Sequence, residues 1–389
     1  MSYTHTVGGH TLTLLRNGAE YFPRLVAAMD KATRSIYLET YIYAADIAGR
    51  TVSDALQRAA RRGVEVRLLL DGYGSSGLPP SWVEELLDSG VEVIWFRKEA
   101  GRFIMRRYRL RRLHRKLALI DERIAFVGGI NINDDAAGGS MTSPRLDYAV
   151  EVQGKAVQQI YVAMQRLWVL VLWTNFRRHR EHATPLPTYT ISAVQQVDFL
   201  LRDNIRHRRD IERAYLKAIV SAKHEIIIAN AYFLPGRRLR RALAKAALRG
   251  VHVVLLLQGR VEYRLQHFAT HALYDELLAA GVRIYEYSAS LMHAKVAVVD
   301  SYWATVGSSN IDPFSLWLAR EANLVVLDKG FAESLRTSLM DEMAQRAHRV
   351  SHSVWRKHSI WVRLIMRLSY AAVRFLAGVS GYARNRDDV

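Results

Sequence analysis

The sequence predicts an α/β protein built from two tandem copies of one half-domain. Three observations carry that expectation. Segments return about 180 residues apart: "RGVEVRLLLDG" (62–72) recurs as "RGVHVVLLLQG" (249–259), and "GVEVIWF" (90–96) recurs loosely as "GVRIYEY" (281–287). Such a period is too long for a solenoid unit and marks a duplicated domain. Val/Leu-rich strands alternate with helical stretches in both copies, the pattern of an α/β sheet. Each copy then closes on the same device. In "LHRKLALIDERIAFVGGIN" (113–131) the residues His114, Lys116, Asp121, Gly128, Gly129 and Asn131 match His293, Lys295, Asp300, Gly307, Ser308 and Asn310 of "MHAKVAVVDSYWATVGSSN" (292–310).

Bulk properties set the frame. A chain of 389 residues, 50% hydrophobic, has room for two domains with a core each. With no cysteine, thiolate chemistry, Cys-ligated metal and disulfides are excluded, which fits a reducing compartment. A net charge of +18 favours polyanionic partners: nucleic acid, an anionic lipid surface or phosphorylated substrates. The opening "MSYTHTVGGHTLTLLRNG" lacks a basic segment followed by an apolar one, so no secretory signal is expected.

Taken in order, each copy reads as helix, apolar strand, helix, "RGV" plus strand, helix, "GV" plus strand, then the motif. The helix "TVSDALQRAARRG" (51–63) answers to "RLRRALAKAALRG" (238–250). The first copy alone inserts "RKEAGRFIMRRYRLRR" (97–112) before its motif, with eight Arg/Lys interleaved with Phe103, Ile104, Met105, Tyr108 and Leu110. A solvated basic loop is one reading. A loop touching an anionic surface through both charge and apolar side chains is the other, and its place directly before His114 favours it. Arg106, Arg107 and Tyr108 are then membrane contacts. The apolar "LWVLVLWTNF" (167–176) is too short to span a bilayer and is expected to finish the first core, with Trp168 and Trp173 inside. The join falls at "HATPLPTYT" (182–190), where two prolines break the pattern. The expected units are residues 1–181, 191–349 and a tail, 350–389.

The motif has readable chemistry. Residues i and i+2 of a strand share a face, so His114 and Lys116 project together with Ala118 behind them, while Leu117 and Leu119 face the core. "DER" and "DSY" read as turns into returning strands. The glycine pair allows close backbone approach to a ligand, and the asparagine adds a donor. Two such units facing across a pseudo-twofold gather two imidazoles, two ammonium groups and two carboxamides. That suits a phosphodiester. Lys116, Lys295, Asn131 and Asn310, with Gly129 and Ser308 beside them, hold its non-bridging oxygens and stabilise the pentacoordinate transition state. Two histidines supply a nucleophile and a general acid/base, so neither a metal ion nor another cofactor is needed. One match to His-x-Lys-x4-Asp arises by chance at roughly one in ten thousand positions. Two matches at equivalent points of a duplication, both continued by Gly-Gly/Ser-x-Asn, do not.

These residues resemble the phospholipase D superfamily, whose signature is the paired His-x-Lys-x4-Asp motif, and within it the bacterial cardiolipin synthases of the B type. The resemblance covers nearly the whole chain, including "LETYIYAADIAGR" (38–50), "LLLDGYGS" (68–75), "RDNIRHRRDIERAYLKAI" (202–219), "IANAYFLPGRRL" (228–239) and "HAKVAVVDSYWATVGSSNIDPFSLWLAREANLVVLD" (293–328). It implies two phospholipase D-like half-domains, each a mixed β-sheet flanked by helices. By resemblance His114 is the nucleophile that forms a phosphatidyl-histidine, and His293 protonates the departing alcohol, then deprotonates the incoming one. An acidic residue downstream of each motif orients its histidine; the matching positions are Asp147 in "RLDYAVEV" and Glu321 in "REANLVV". Asp121 and Asp300 complete the signature but read as turn residues or partners of neighbouring donors. Gly128–Gly129 against Gly307–Ser308 gives the pocket one hydroxyl rather than two.

In "SVWRKHSIWVRLIMRLSYAAVRFLAGVSGY" (353–382), Arg356, Arg363, Arg367 and Arg374 recur at steps of seven, four and seven, opposite Trp361, Leu364, Ile365, Leu368 and Phe375. This reads as a helix lying in a membrane interface rather than packed on the body, with Trp361, Arg363, Arg367 and Arg374 as contacts. No uncharged run is long enough to span a bilayer, and the transmembrane pair that precedes A-type cardiolipin synthases is not seen. The expected protein is peripheral, on the cytoplasmic face of the cell inner membrane. Its expected reaction is phosphatidyl transfer between two molecules of phosphatidylglycerol, giving cardiolipin and glycerol. Hydrolysis to phosphatidic acid needs the same residues and stays open. A nuclease is disfavoured because such members carry one motif per chain, so no nucleic acid partner is expected. A non-catalytic membrane binder is disfavoured by the filled site positions.

Overall fold

The computed structural model describes residues 3–98, 111–134, 144–174, 195–203, 207–312, 319–355 and 359–379. The first half runs β1 (Tyr3–Val7), β2 (His10–Arg16), α1 (Asn17–Asp30), β3 (Ser35–Thr40), α2 (Ile47–Arg61), β4 (Glu65–Asp71), α3 (Pro80–Asp88), β5 (Glu92–Phe96), β6 (Lys116–Ile120), β7 (Ile124–Gly128), β8 (Tyr148–Gln153) and α4 (Ala156–Thr174). The second runs β9 (Val197–Arg202), α5 (Asp210–Ser221), β10 (Glu225–Asn230), α6 (Arg237–Leu248), β11 (His252–Gln258), α7 (Arg264–His271), α8 (Tyr274–Ala279), β12 (Arg283–Tyr287), β13 (Lys295–Val299), β14 (Trp303–Gly307), β15 (Glu321–Leu327) and α9 (Lys329–Arg346). After them come β16 (Ala347–Arg349), α10 (His352–Trp355) and α11 (Ile360–Val379).

The duplication is visible in the strand orders, β1-β2-β8-β7-β6-β3-β4-β5 and β16-β12-β11-β10-β13-β14-β15-β9. Seven strands correspond, from β2 with β9 to β5 with β12, and each half adds one strand at the opposite edge. Within each sheet the "RGV" and "GV" strands pair in parallel, while the motif strands pair antiparallel, so both sheets are mixed. The parallel strands read as continuous apolar runs because helices or the partner sheet cover both their faces.

Three cores follow. Leu117, Leu119, Val127 and Val150 pack with Val296, Val298, Val306 and Leu324 between the two sheets, together with apolar residues of α4 and α9. Outside the first sheet, α1, α2 and α3 bury Leu25, Val52, Leu56 and Leu86 against Ala118 and its neighbours. Outside the second, α5, α6 and α8 do the same. Ala118 thus lies on the outer face and Leu117 and Leu119 on the inner one, as alternation requires.

Two expectations for apolar segments change. Trp168 is buried, but Trp173 is 81% exposed, because α4 packs along one side only. The tail helix α11 does not stand apart from the body. Its Val362, Met366, Tyr370 and Val373 pack onto the outer core of the second half, alongside α7. A helix turning 100° per residue then places Arg363, Arg367 and Arg374 on a second stripe and Trp361, Leu364, Ile365, Leu368 and Phe375 on a third. That third stripe is exposed, with Trp361 at 72% and Phe375 at 70%. The sequence pattern of two faces is in fact three. Among the described residues no helix is long and apolar enough to cross a membrane.

Candidate active site

Each motif histidine lies just before its strand, on a segment that runs parallel to a segment of the other half. The His114 N–H donates to Arg320 O at 3.0 Å, and the Arg320 N–H donates to Arg112 O at 2.8 Å. Symmetrically, the His293 N–H donates to Leu146 O at 2.8 Å, and the Leu146 N–H donates to Leu291 O at 3.0 Å. The two parallel bridges, Leu113 with Arg320 and Leu146 with Met292, stitch the halves together at the site.

This stitching crosses the carboxylates. Glu321 reaches Nδ1 of His114 at 3.0 Å, and Asp147 reaches Nδ1 of His293 at 2.7 Å. The expectation that each acid serves the histidine of its own motif is therefore corrected. Asp147 and Glu321 lie at the starts of β8 and β15, where each half's chain leaves the other half's motif segment. With Nδ1 held by a carboxylate in both rings, Nε2 is the atom left for chemistry. Asp71 fixes the first segment further by accepting from Leu113 N–H at 2.7 Å and from the N–H groups of Tyr73 and Gly74.

Both motif lysines are buried, Lys116 at 3% and Lys295 at 0% exposure. Each ammonium donates to the carbonyl of its own histidine, Lys295 to His293 and Lys116, at 2.6 Å, to His114. Two protons on each nitrogen remain for a ligand. Asn310 lines the pocket. Asn131 is buried, and its side-chain oxygen accepts from Ile42 N–H at 3.2 Å.

Two residues assigned to phosphate binding do other work. The Ser308 hydroxyl donates to Glu321 at 2.5 Å and accepts from Ala322 N–H, so it braces the carboxylate rather than facing the pocket. The Gly129 N–H is taken up by Tyr148 O at 2.9 Å. A Cβ on Gly129 lies 2.3 Å from Asp147 Oδ1, so this glycine makes room for the acid. Asp121 and Asp300 stand at the far ends of β6 and β13, in two-residue turns whose φ values of 52° and 55°, and 52° and 49°, are those of tight hairpins. Asp121 accepts from the N–H groups of Thr33, Arg34 and Ser35; Asp300 accepts from Lys223, His224 and Glu225. They tie the hairpins to the loops before β3 and β10. Their part in the signature is structural, as their turn character suggests. Arg106, Arg107 and Tyr108 lie outside the described residues.

The pocket between the histidines holds about 300 Å³. It is lined by Tyr41 and Arg145 from the first half, and by Tyr232, Glu262, Tyr263 and Gln266 from the second, none of them singled out from sequence. Tyr41 stacks at a tilt on His114, with ring centroids 4.8 Å apart, and the Tyr232 hydroxyl donates to Glu262 at 2.5 Å. The loop between β11 and α7, which carries Glu262 and Tyr263, has no counterpart string in the first copy. Arg145 was legible: it stands two residues before Asp147, where the second copy has Ala319 before Glu321.

Burial dominates the electrostatics. It pulls Lys116 down to about 7 and Lys295 to about 8, with Lys295 adding to the effect on Lys116 and Arg145 to the effect on Lys295. It lowers both histidines, His293 further because Lys295, Lys116 and Arg145 add to it, whereas Glu321 supports the charged form of His114. Asp147 is pushed up to about 7 by burial, partly offset by Lys295. A phosphodiester anion in the pocket opposes each of these losses of positive charge, so the site is electrostatically incomplete until an anion enters.

The family described as "Cardiolipin synthase, PLD-like domain" matches residues 25–168 and 215–343. The chain is 38% identical over 383 residues to cardiolipin synthase B of Salmonella typhimurium, covering 96% of this chain and 90% of that protein. It is 32% identical to the cardiolipin synthase of Geobacillus kaustophilus, over 89% of this chain and 72% of the relative. Among solved structures, phosphatidylserine synthase from Haemophilus influenzae superposes with a TM-score of 0.68 at 12% identity, over 97% of this chain and 96% of that one. At that identity the likeness concerns the fold.

Proposed function

The chain belongs to the cardiolipin synthase family of phospholipase D-like proteins, and from that premise we infer that it makes cardiolipin by phosphatidyl transfer between two molecules of phosphatidylglycerol. The observation that carries the mechanism is the pair of crossed histidine–carboxylate contacts above two buried lysines.

His114 Nε2 attacks the phosphorus of one phosphatidylglycerol. Lys116, Lys295 and Asn310 hold the charge of the pentacoordinate state, which buried, pre-positioned donors stabilise strongly. The bond to glycerol breaks, and His293 Nε2 gives the departing oxygen its proton. His293, now neutral, takes the proton of a second phosphatidylglycerol's terminal hydroxyl. That oxygen bonds phosphorus and the P–N bond to His114 breaks, returning the enzyme. Glu321 and Asp147 fix the ring tautomers and support each imidazolium as it forms. Residues 1–181 and 191–349 each contribute half of this machinery.

Membrane binding falls to the tail, 350–389. The exposed Trp361, Leu364, Leu368 and Phe375 stripe enters the acyl boundary while Arg363, Arg367 and Arg374 meet anionic headgroups, joined by Arg106, Arg107 and Tyr108. This makes the protein peripheral, on the cytoplasmic face of the inner membrane. The exposed apolar stripe beside the arginines supports that reading.

The test is direct: purified protein, phosphatidylglycerol in detergent micelles, and separation of the lipid products. Cardiolipin with released glycerol is expected. Phosphatidic acid alone replaces the acceptor lipid with water, and no lipid product overturns the reading.

A further inference from the structure

We propose that Arg145 binds the phosphate of the acceptor lipid and so selects a second phosphatidylglycerol over neutral alcohols; this rests on the reading above. The acceptor is itself a phosphodiester anion, and its attacking hydroxyl is three carbons from that phosphate. A transferase using it meets two phosphates at once. The buried lysines serve the one that reacts. The other calls for a cation beside the site, on the side where the acceptor hydroxyl loses its proton.

Arg145 meets that requirement on four counts. It lines the same pocket as His114 and His293, together with Tyr232 and Tyr263. Its backbone is fixed against the His293 segment, because Leu146 bonds to both Leu291 and His293. Its positive charge is felt at His293, Lys295 and Asp147 and also at Tyr232 and Tyr263, in keeping with its place in the shared lining. Its counterpart in the other half is Ala319, so the duplication does not supply a cation at this position twice. Asp147, two residues on, is already committed to His293, and Glu262 accepts from Tyr232. The Arg145 side chain makes no hydrogen bond or ion pair with any described residue. A guanidinium fork matches two phosphate oxygens in a way that an ammonium does not.

In the second half-reaction the acceptor oxygen bonds phosphorus, its proton passes to His293 Nε2, and the P–N bond to His114 breaks. Arg145 touches neither bond. It holds the acceptor's own phosphate so that the hydroxyl is presented to His293.

The experiment uses the full-length protein and two acceptors for one donor. Phosphatidylglycerol micelles report cardiolipin formation; the same micelles with labelled free glycerol report exchange of label into phosphatidylglycerol, a transfer to a neutral acceptor. For Arg145→Gln, cardiolipin formation should fall roughly 10- to 100-fold more than exchange does, the scale of one lost charge-assisted contact made by the charged acceptor only, while exchange remains measurable. Arg145→Lys should fall between. Persisting exchange also shows that the variant is folded. Equal loss of both reactions, or loss of neither, overturns the proposal. Failure of the unaltered protein in both assays overturns instead the function on which it rests.

Discussion

Glu321 holds Nδ1 of His114 at 3.0 Å although 207 residues separate them and each belongs to a different half. The motif histidine of one half is therefore held by the acid of the other, and the same holds in reverse for His293 and Asp147.

The crossing assigns distinct defects. Glu321→Gln should slow formation of the phosphatidyl-enzyme by roughly two to four orders of magnitude, because the His114 tautomer is lost. Asp147→Asn should spare that step when the leaving group is nitrophenolate, which needs no acid. Burst kinetics on a nitrophenyl phosphodiester separate the two: a burst in Asp147→Asn and none in Glu321→Gln. The opposite pattern exchanges the roles of His114 and His293.

Replacing either histidine with alanine should abolish turnover. Only the protein that retains His114 should trap phosphatidyl-enzyme after rapid denaturation in alkaline detergent, because the P–N bond is acid-labile. Radiolabelled lipid on the His114→Ala protein would show that the nucleophile has been misassigned.

Gly129→Ser should be far more damaging than Ser308→Ala. The added Cβ meets Asp147 Oδ1 at 2.3 Å and Oδ2 at 2.7 Å, and drives the acid from His293. Ser308→Ala removes one hydrogen bond to Glu321, an effect of about tenfold or less on kcat. Steady-state rates checked against circular dichroism decide this.

The kcat/KM profile should fall as pH rises through 7 to 8. Lys116, at about 7, and Lys295, at about 8, are cationic below those values and lose charge above them, and kcat/KM reports the uncomplexed enzyme. Bound phosphodiester pulls both values up, so kcat should decline at higher pH than kcat/KM. A kcat/KM profile level to pH 9.5 contradicts the argument.

Trp361→Ser with Phe375→Ser should weaken co-sedimentation with phosphatidylglycerol vesicles while leaving the melting temperature in place, since both side chains are largely exposed. Unchanged vesicle binding, with activity in micelles also unchanged, removes the tail from the membrane-binding role.

Much of this was legible in the sequence. The duplication, the α/β class and the identity of both histidines follow from the repeated strings, because a motif that must occur twice is hard to produce by chance; the mixed sheets came from the family resemblance. The crossed pairing was not legible: Asp147 and Glu321 are each nearest in sequence to the wrong histidine, and only the parallel bridges between halves reveal the exchange. Nor were the true duties of Ser308 and Gly129, because a residue's type does not say whether its hydroxyl or N–H is already engaged. The tail's periodicity gave an amphipathic helix, yet a stripe that packs on protein and a stripe that stays exposed have the same apolar composition. Glu39 is a plainer omission. It pairs with Arg115 through both carboxylate oxygens, one at 2.8 Å, wholly inside the protein, and the second copy has Ala229 and Ala294 there.

The crossed carboxylates also bear on how the protein is made. A growing chain that has emerged through the first motif carries its reactive imidazole without the acid that orients it, and without its second lysine. Synthesis must pass Glu321 before His114 is held by its acid, whereas the acid of His293 is already made when that histidine emerges. A chain that ends before that point lacks a complete site, and the two halves of the sequence cannot be parted without dividing both histidine–carboxylate pairs.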